Sequence, residues 1–180
     1  MNMPTITEGN LRFDFPEGWT AWKYDEGDFY RARFIKIKNG IKALDIVAVD
    51  PEGEVWLIEI KDYRIRLNEG AENPADTVNA SKLPDVVIRK VVGTLAAILP
   101  AKLHADSPEN MTAEKILATT KLNPVLHIEQ TKTSNKLHPY AIRPADIQQK
   151  LTTKFQRIGL GMLVTGTGSR TRVPWEVAPV

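Results

Sequence analysis

The sequence predicts an α/β or α+β fold in which helices flank one mixed central sheet. Residues 43–49 and 55–61 are apolar and rich in β-branched side chains, and turn-forming residues separate them, as in an antiparallel hairpin. Residues 84–99 and 145–158 carry helical signals, and residues 125–129 form a further strand-like run between them. Strands that alternate with helices in this way are typical of a sheet covered by helices.

The composition limits the possible classes of protein. Of the 180 residues, 42% are hydrophobic and 26% are charged, which is enough apolar surface for one core, so we predict a single domain over residues 1–180. Cysteine is absent, which excludes disulfides, a thiolate nucleophile and cysteine-ligated metals. The pattern of a signal peptide is missing and every apolar run is too short to span a bilayer, so we expect a cytoplasmic protein that does not enter membranes.

The first predicted element is a short strand over residues 18–24. The next segment, residues 25–38, is compatible with two structures, because its aromatic and aliphatic residues recur at helical spacing while its second half alternates like a strand. We favour a helix capped by Asp25. The following Asn39-Gly40 fits a helix C-cap or a hairpin turn, since both need positive φ.

The later helices have recognisable ends. Pro84 opens a helix that is expected to end or kink near Leu99, ahead of Pro100. A short amphipathic helix is predicted over residues 113–120.

The last helix is the clearest of all. Apolar residues line one face of residues 145–158, Pro144 starts the helix and Gly159 ends it. A final strand is predicted over residues 162–164.

Charged residues interrupt the strand at 55–61, where a buried sheet would hold apolar side chains. Side chains alternate across a strand, so Leu57, Glu59 and Lys61 share one face while Ile58 and Ile60 share the other. Since both faces carry apolar residues, this strand is expected to be central and covered on both sides. A charge buried there costs several kcal/mol unless it is paired or bound to a metal.

Asp45 presents the same conflict in the neighbouring strand. Counting outward from the turn at residues 50–53 places Asp45 near Glu59, within about one pair. Two carboxylates that meet on a sheet repel each other, and a divalent cation is a common reason for tolerating this. Without metal, Lys61 offsets the repulsion only in part, so the substitution Asp45→Asn is expected to stabilise the metal-free protein.

The formal net charge is only +2, but the charges are unevenly distributed. Residues 29–44 contain no acid, whereas acids gather at residues 24–28 and 45–62. The basic side chains of the acid-free stretch include Arg31, Arg33, Lys36 and Lys38. Basic flanks around an acidic centre suit a polyanionic substrate that meets a metal, although ordinary solvated surfaces would look the same.

Asp45, the turn and Glu59-Ile60-Lys61 resemble the signature of the PD-(D/E)XK nuclease superfamily, also called restriction-endonuclease-like. That signature is an Asp on one strand, a short turn, and Glu-x-Lys on the next strand, within a helix–strand–strand–strand–helix–strand core. The predicted element order over residues 24–129 is similar to this core. The run KYDEGDFYRARF also resembles the N-terminal part of uncharacterised bacterial members.

The resemblance implies hydrolysis of phosphodiester bonds in nucleic acid with Mg²⁺, for which Mn²⁺ can substitute. In that family Asp45, one oxygen of Glu59 and the backbone carbonyl of Ile60 would hold the ion. Lys61 would orient the attacking water or stabilise the pentavalent state. Many members add a Glu from the first helix, for which Glu26 is the candidate, with Asp28 next.

The substrate contacts and the mode of action stay open at this point. The candidates for phosphate contact are Arg31, Arg33, Lys36, Lys38 and Lys90. DNA is favoured over RNA, either an endonuclease or an exonuclease is compatible with the motif, and a homodimer or a protein partner is possible. The alternative function is a module that binds nucleic acid or protein on the same fold without cleaving.

Overall fold

The computed structural model describes residues 3–64, 81–131 and 142–180. The strands are β1 (Thr5–Glu8), β2 (Leu11–Asp14), β3 (Thr20–Lys23), β4 (Ile46–Val49), β5 (Val55–Asp62), β6 (Leu122–Glu129), β7 (Leu163–Gly166) and β8 (Glu176–Pro179). The helices are α1 (Asp28–Ala32), α2 (Leu83–His104), α3 (Glu109–Leu117) and α4 (Pro144–Phe155). Short 3₁₀ helices lie at Phe34–Lys36 and Gln156–Ile158. Within these described ranges, no helix combines the length and apolarity needed to cross a bilayer.

The larger sheet has the order β3-β4-β5-β6-β7. The pairs β3–β4 and β4–β5 are antiparallel, whereas β5–β6 and β6–β7 are parallel. Val47 and Leu57 pack on one face with side chains of the helices, and Ile46 and Ile58 pack on the other face. The predictions of a mixed sheet and of residues 55–61 as a central strand covered on both sides are therefore confirmed, whereas helices around the sheet are confirmed for one face only.

A second sheet of order β1-β2-β8 covers the other face. Leu11 and Phe13 of β2 and the following Phe15 are buried against Ile58, and Trp175 joins the same cluster. We did not predict this sheet. The alternation of Leu11, Phe13 and Phe15 was a usable signal for β2, but the pairing of β2 with β8 joins opposite ends of the chain and leaves no local pattern.

The hairpin of β4 and β5 has the predicted turn and register. Gly53 closes the turn with φ +83°, and Ile46 lies opposite Ile58 in the ladder. Continuing this ladder by one residue places Asp45 opposite Glu59. The sequence therefore located the two acids correctly relative to each other.

The first helix differs from its prediction. It begins at Asp28 with Gly27 at the N-cap position, without a side-chain cap, and it ends at Ala32. The Phe29 N–H instead donates to a carboxylate oxygen of Glu109 at 2.8 Å, a residue distant in sequence. The prediction of a helix in this region is right, but the cap at Asp25 and the continuous length over residues 25–38 are wrong.

Helix α2 runs through Pro100 to His104, so an end near Leu99 is wrong, and the alternative of a kink there stays a prediction. Proline removes one backbone hydrogen bond and crowds the preceding turn. Ile98 and Ala101 are buried on either side of it, and this packing holds both parts of the helix on the core. Helix α3 begins and ends earlier than predicted. Helix α4 ends at Phe155, and a 3₁₀ turn continues to Ile158, so the helical run stops at Gly159, with φ +73°, as predicted.

A close contact fixes α2 against the segment that leads into β4. A Cβ built on Gly93 would lie 2.2 Å from the backbone oxygen of Lys42, so only glycine allows this approach. In the same turn, Thr94 Oγ1 accepts a hydrogen bond from the Leu44 N–H at 2.9 Å. These two contacts set the position of α2 relative to Asp45.

We expect Gly93→Ala to lower the free energy of unfolding by about 1–3 kcal/mol, because the clash is with backbone and cannot be relieved by a side-chain rotation. This loss would occur although alanine normally favours a helix interior by about 1 kcal/mol. Urea unfolding measures the change. Gly161→Ala is the control, since nothing lies within 4 Å of its added Cβ. Equal stability of the two variants would contradict the close contact.

Candidate active site

Four charged side chains meet where α2 crosses the ends of β4 and β5. Asp45 immediately precedes β4, Glu59 and Lys61 belong to β5, and Lys90 comes from α2. Val47 and Leu57 face the helices. Asp45, two residues before Val47, and Glu59, two residues after Leu57, point to the same side. The alternation of the strands therefore directs both carboxylates towards α2.

Lys90 lies between the two carboxylates. Its Nζ is 2.8 Å from Asp45 Oδ1 and 2.8 Å from Glu59 Oε2. Lys61 Nζ is 2.5 Å from the other oxygen of Glu59. The exposed fractions of the Glu59, Asp45 and Lys90 side chains are 0%, 9% and 12%, so two buried acids are matched by two ammonium groups.

The second oxygen of Asp45 is also bonded. Asp45 Oδ2 accepts the backbone N–H of Ile60 at 2.6 Å. Since β4 begins only at Ile46, the carboxylate supplies a partner to β5 just beyond the end of the strand ladder. Asp45 thus contacts the backbone of β5 directly and is linked to Glu59 through their shared partner Lys90.

Burial and charge shift the acid–base properties of this cluster. Burial raises the pKa of Glu59 to about 7, and the charge of Asp45 acts in the same direction against the opposing effects of Lys61 and Lys90. Burial disfavours the ammonium form of Lys90, but the carboxylates of Glu59 and Asp45 outweigh it and hold the pKa of Lys90 above its usual value. Lys90 is therefore a firmly charged partner of the acid pair.

The third acid near this cluster is Asp25, which follows β3. Its Oδ1 is buried and has no hydrogen-bond partner among residues 3–64, 81–131 and 142–180. Burial raises the pKa of Asp25, and the negative charge of Asp45 adds to this effect. The additional metal ligand expected from the sequence was the next residue, Glu26. Its half-exposed carboxylate pairs with Lys23 at 2.6 Å, so the structure does not bring it to Asp45.

The basic residues of the stretch 29–44 are in different situations. The Arg33 guanidinium donates to the His104 carbonyl at 2.7 Å and lies 5.8 Å from the centre of the Phe29 ring. It therefore connects α1 to the end of α2. The other candidates for phosphate contact on this stretch, Arg31, Lys36 and Lys38, are exposed.

The acid pair fits a hard cation such as Mg²⁺. Asp45 and Glu59 offer carboxylate oxygens, and the buried Glu59 Oε2 has no hydrogen bond of regular geometry from the described residues. In those same parts of the chain, no group of three Asp, Glu or His side chains has the arrangement of a metal site. A Mg²⁺ ion is commonly held by one or two carboxylates, with water and phosphate oxygens in the other positions. The pair would serve such a site once Lys90 has moved.

Sequence reasoning missed the ion pairs of Lys90 and assigned this residue only to phosphate contact. The signal was its position on the helix, because Val87, Val91 and Thr94 form the buried stripe of α2 and Lys90 falls at the edge of that stripe. A lysine at such a place needs an acidic partner. The neighbouring Arg89 points outward and is exposed.

The chain is similar in sequence to part of a longer known protein. The chain is 32% identical over 178 residues to a cysteine--tRNA ligase of Neisseria meningitidis (serogroup A, serotype 4A), a match that includes 86% of this chain and 25% of the relative. The chain thus spans about a quarter of the length of that relative. No family model and no solved structure matches the chain.

We expect Asp45→Asn to lower the metal-free stability by about 1–3 kcal/mol, because Asn keeps an acceptor for the Ile60 N–H but loses the ion pair with Lys90. The structure thus reverses the sign expected from the sequence, where repulsion between the acids was offset only by Lys61. Thermal melting in EDTA measures the effect.

Glu52→Gln is the control for this substitution, because Glu52 is exposed in the turn between β4 and β5. If Asp45→Asn melts above the wild type while Glu52→Gln does not, repulsion between the acids dominates and the pairing with Lys90 adds little.

Proposed function

We propose that this chain is a metal-dependent nuclease that hydrolyses phosphodiester bonds in nucleic acid. The observation that carries the proposal is the meeting of Asp45 and Glu59, both buried, on the helix-covered face of a central strand. Lys61 stands two residues after Glu59, on the same face and in contact with it. Two adjacent carboxylates can hold a metal and a neighbouring ammonium can stabilise charge on phosphate oxygens, so this arrangement suits chemistry on a phosphate.

The arrangement of elements supports the PD-(D/E)XK superfamily in part. Strands β3, β4 and β5 are followed by α2 and by β6, which pairs with β5 in parallel. This succession of three strands, a helix and a fourth strand resembles the core of that superfamily. There are two departures. Helix α1 lies between β3 and β4, whereas the first helix of the family core precedes all three strands, and α3 lies as an additional helix between α2 and β6.

The roles of the residues follow from their positions. Asp45 and Glu59 would hold Mg²⁺, which when bound lowers the pKa of a water molecule and neutralises charge on phosphate oxygens. The Ile60 N–H fixes the orientation of the Asp45 carboxylate. Lys61 is the most exposed member of the cluster, at 26%, so its ammonium can reach a phosphate at the opening and stabilise the charge that develops there.

Both DNA and RNA belong among the substrates to be tested. The relative is named as a cysteine--tRNA ligase, a protein that acts on tRNA. This similarity adds tRNA to the substrates, although DNA remains the first expectation. The exposed Arg31, Lys36 and Lys38 would contact phosphates of either nucleic acid.

A non-cleaving binding module is the second candidate, and one observation favours it. Lys90 neutralises Asp45 and Glu59 from within the chain. The acid pair can therefore persist in a folded protein that never binds a metal. Such a protein would bind nucleic acid through its basic surface without cleaving phosphodiester bonds.

Cleavage of single-stranded DNA, duplex DNA, RNA and tRNA with Mg²⁺, Mn²⁺ or EDTA tests the proposal. We expect products with Mg²⁺ or Mn²⁺ and none with EDTA. Lys61→Met should reduce cleavage at least about 100-fold, because it removes a charge aimed at the phosphate. Calorimetric titration should show Mn²⁺ bound by this variant, since Lys61 is not a ligand.

Two outcomes of that panel count against the proposal. Absence of products from all four nucleic acids would favour the binding module. Loss of Mn²⁺ binding in Lys61→Met would show that Lys61 supports the acid pair itself and would remove its assigned role in catalysis.

Neutralising the basic surface should change the salt dependence of binding. Substituting Arg31, Lys36 and Lys38 by Gln is expected to make the slope of log affinity against log salt shallower by about 2–3 in total, at roughly 0.7–0.9 per phosphate contact. Fluorescence anisotropy with labelled DNA and RNA measures this slope. Arg12→Gln is the matched control, because Arg12 is an exposed cation paired with Asp14 on β2, outside the stretch 29–44, and its loss should leave the slope unchanged.

A further inference from the structure

Lys90 occupies the place that a cation shared by Asp45 and Glu59 would take. Its Nζ contacts one oxygen of each acid at 2.8 Å. A metal bound to the same two oxygens cannot coexist with an ammonium nitrogen at this distance from both. The site therefore admits either Lys90 or a metal between the carboxylates.

We propose that Lys90 is an internal counter-cation that must leave the acid pair before a metal binds, so that it sets the metal affinity of the site. This inference rests on the proposed function, since it concerns the same pair of acids. It assigns Lys90 as a positioning residue, distinct from Lys61, which pairs with the other oxygen of Glu59.

The surrounding structure allows the ammonium to move without moving the helix. Gly93 packs against the Lys42 carbonyl and Thr94 binds the Leu44 N–H, so the backbone of α2 near Lys90 is fixed. The Lys90 side chain itself has a flexible four-carbon stem and is 12% exposed, which gives the ammonium a route to solvent. Displacement is then a change of side-chain rotamer.

The displaced ammonium would still lie beside the site. Next to a bound divalent ion it would be repelled unless it found a new anionic partner. A phosphate of the nucleic acid is such a partner. Lys90 can therefore contact phosphate as the sequence suggested, but only after it has left the carboxylates.

Two other roles for Lys90 make different predictions. If Lys90 only contacts phosphate, its removal leaves metal affinity unchanged. If Lys90 orders the carboxylates for the metal, its removal weakens metal binding. Only the counter-cation role predicts that metal binding becomes tighter when the ammonium is removed.

The substitution Lys90→Met separates these roles, with Arg89→Met as the control. Arg89 is the adjacent, exposed cation of α2, and its Nε lies 3.3 Å from the Asp85 carbonyl, so its replacement removes the same charge outside the site. In EDTA, Lys90→Met should melt roughly 10 °C below the wild type because buried carboxylates lose their partner. In calorimetric titration it should bind Mn²⁺ at least about tenfold tighter than the wild type. Arg89→Met should match the wild type in both measurements.

A measurement on the wild type covers the case in which Lys90→Met does not fold. Amine acetylation followed by mass spectrometry reports how accessible each lysine is. Saturating Mn²⁺ should increase the acetylation rate of Lys90 several-fold, because the ammonium leaves its buried ion pairs. Lys150 on α4 is exposed and should react at the same rate with and without Mn²⁺.

The outcomes distinguish this inference from the proposed function. Equal or weaker Mn²⁺ binding by Lys90→Met, or unchanged acetylation of Lys90, overturns the inference even if the wild type cleaves nucleic acid. If Lys90→Met binds Mn²⁺ while the wild type neither binds Mn²⁺ nor cleaves nucleic acid, the counter-cation role is supported and the proposed nuclease function is overturned. Failure of both proteins to bind Mn²⁺ overturns both.

Discussion

The burial of two carboxylates on the central strand pair is the constraint on which this structure depends. Asp45 and Glu59 lie on the face of the sheet that α2 covers, where an unpaired charge costs several kcal/mol. Two lysines from separate elements therefore have to reach them, and one of these lysines belongs to α2. The fixed approach of Gly93 to the Lys42 carbonyl places that helix close enough for the contact.

This arrangement changes the meaning of a buried acid pair for function. The sequence alone indicates a divalent cation as a common reason for two adjacent carboxylates, since Lys61 offsets their repulsion only in part. The structure supplies a second cation, so the fold tolerates the pair with or without a metal. The case for chemistry therefore rests on the convergence of Asp45, Glu59 and the partly exposed Lys61 on one face of the strands, and not on the electrostatic need for an ion.

The predictions that succeeded depend on local patterns, and those that failed depend on distant contacts. The alternation of residues 43–61 and the turn at 50–53 were sufficient to place Asp45 opposite Glu59, because strand register is set by neighbours in sequence. The continuation of α2 through Pro100 is decided by burial of Ala101 against the rest of the core. The pairing of β2 with β8, the cap provided by Glu109 and the ion pairs of Lys90 likewise join residues far apart in the chain.

Because Lys90 is part of α2, the charge state of the site and the packing of the core are linked. Val87 and Val91, which flank Lys90 along the helix, are fully buried in the same cluster as Leu57. A change that leaves the carboxylates unpaired therefore acts on the contact between α2 and the sheet as well as on the site. For this protein, the free energy of unfolding consequently reports on the acid pair directly, in the absence of any substrate. That link makes stability an independent measure of the site, one that needs no substrate.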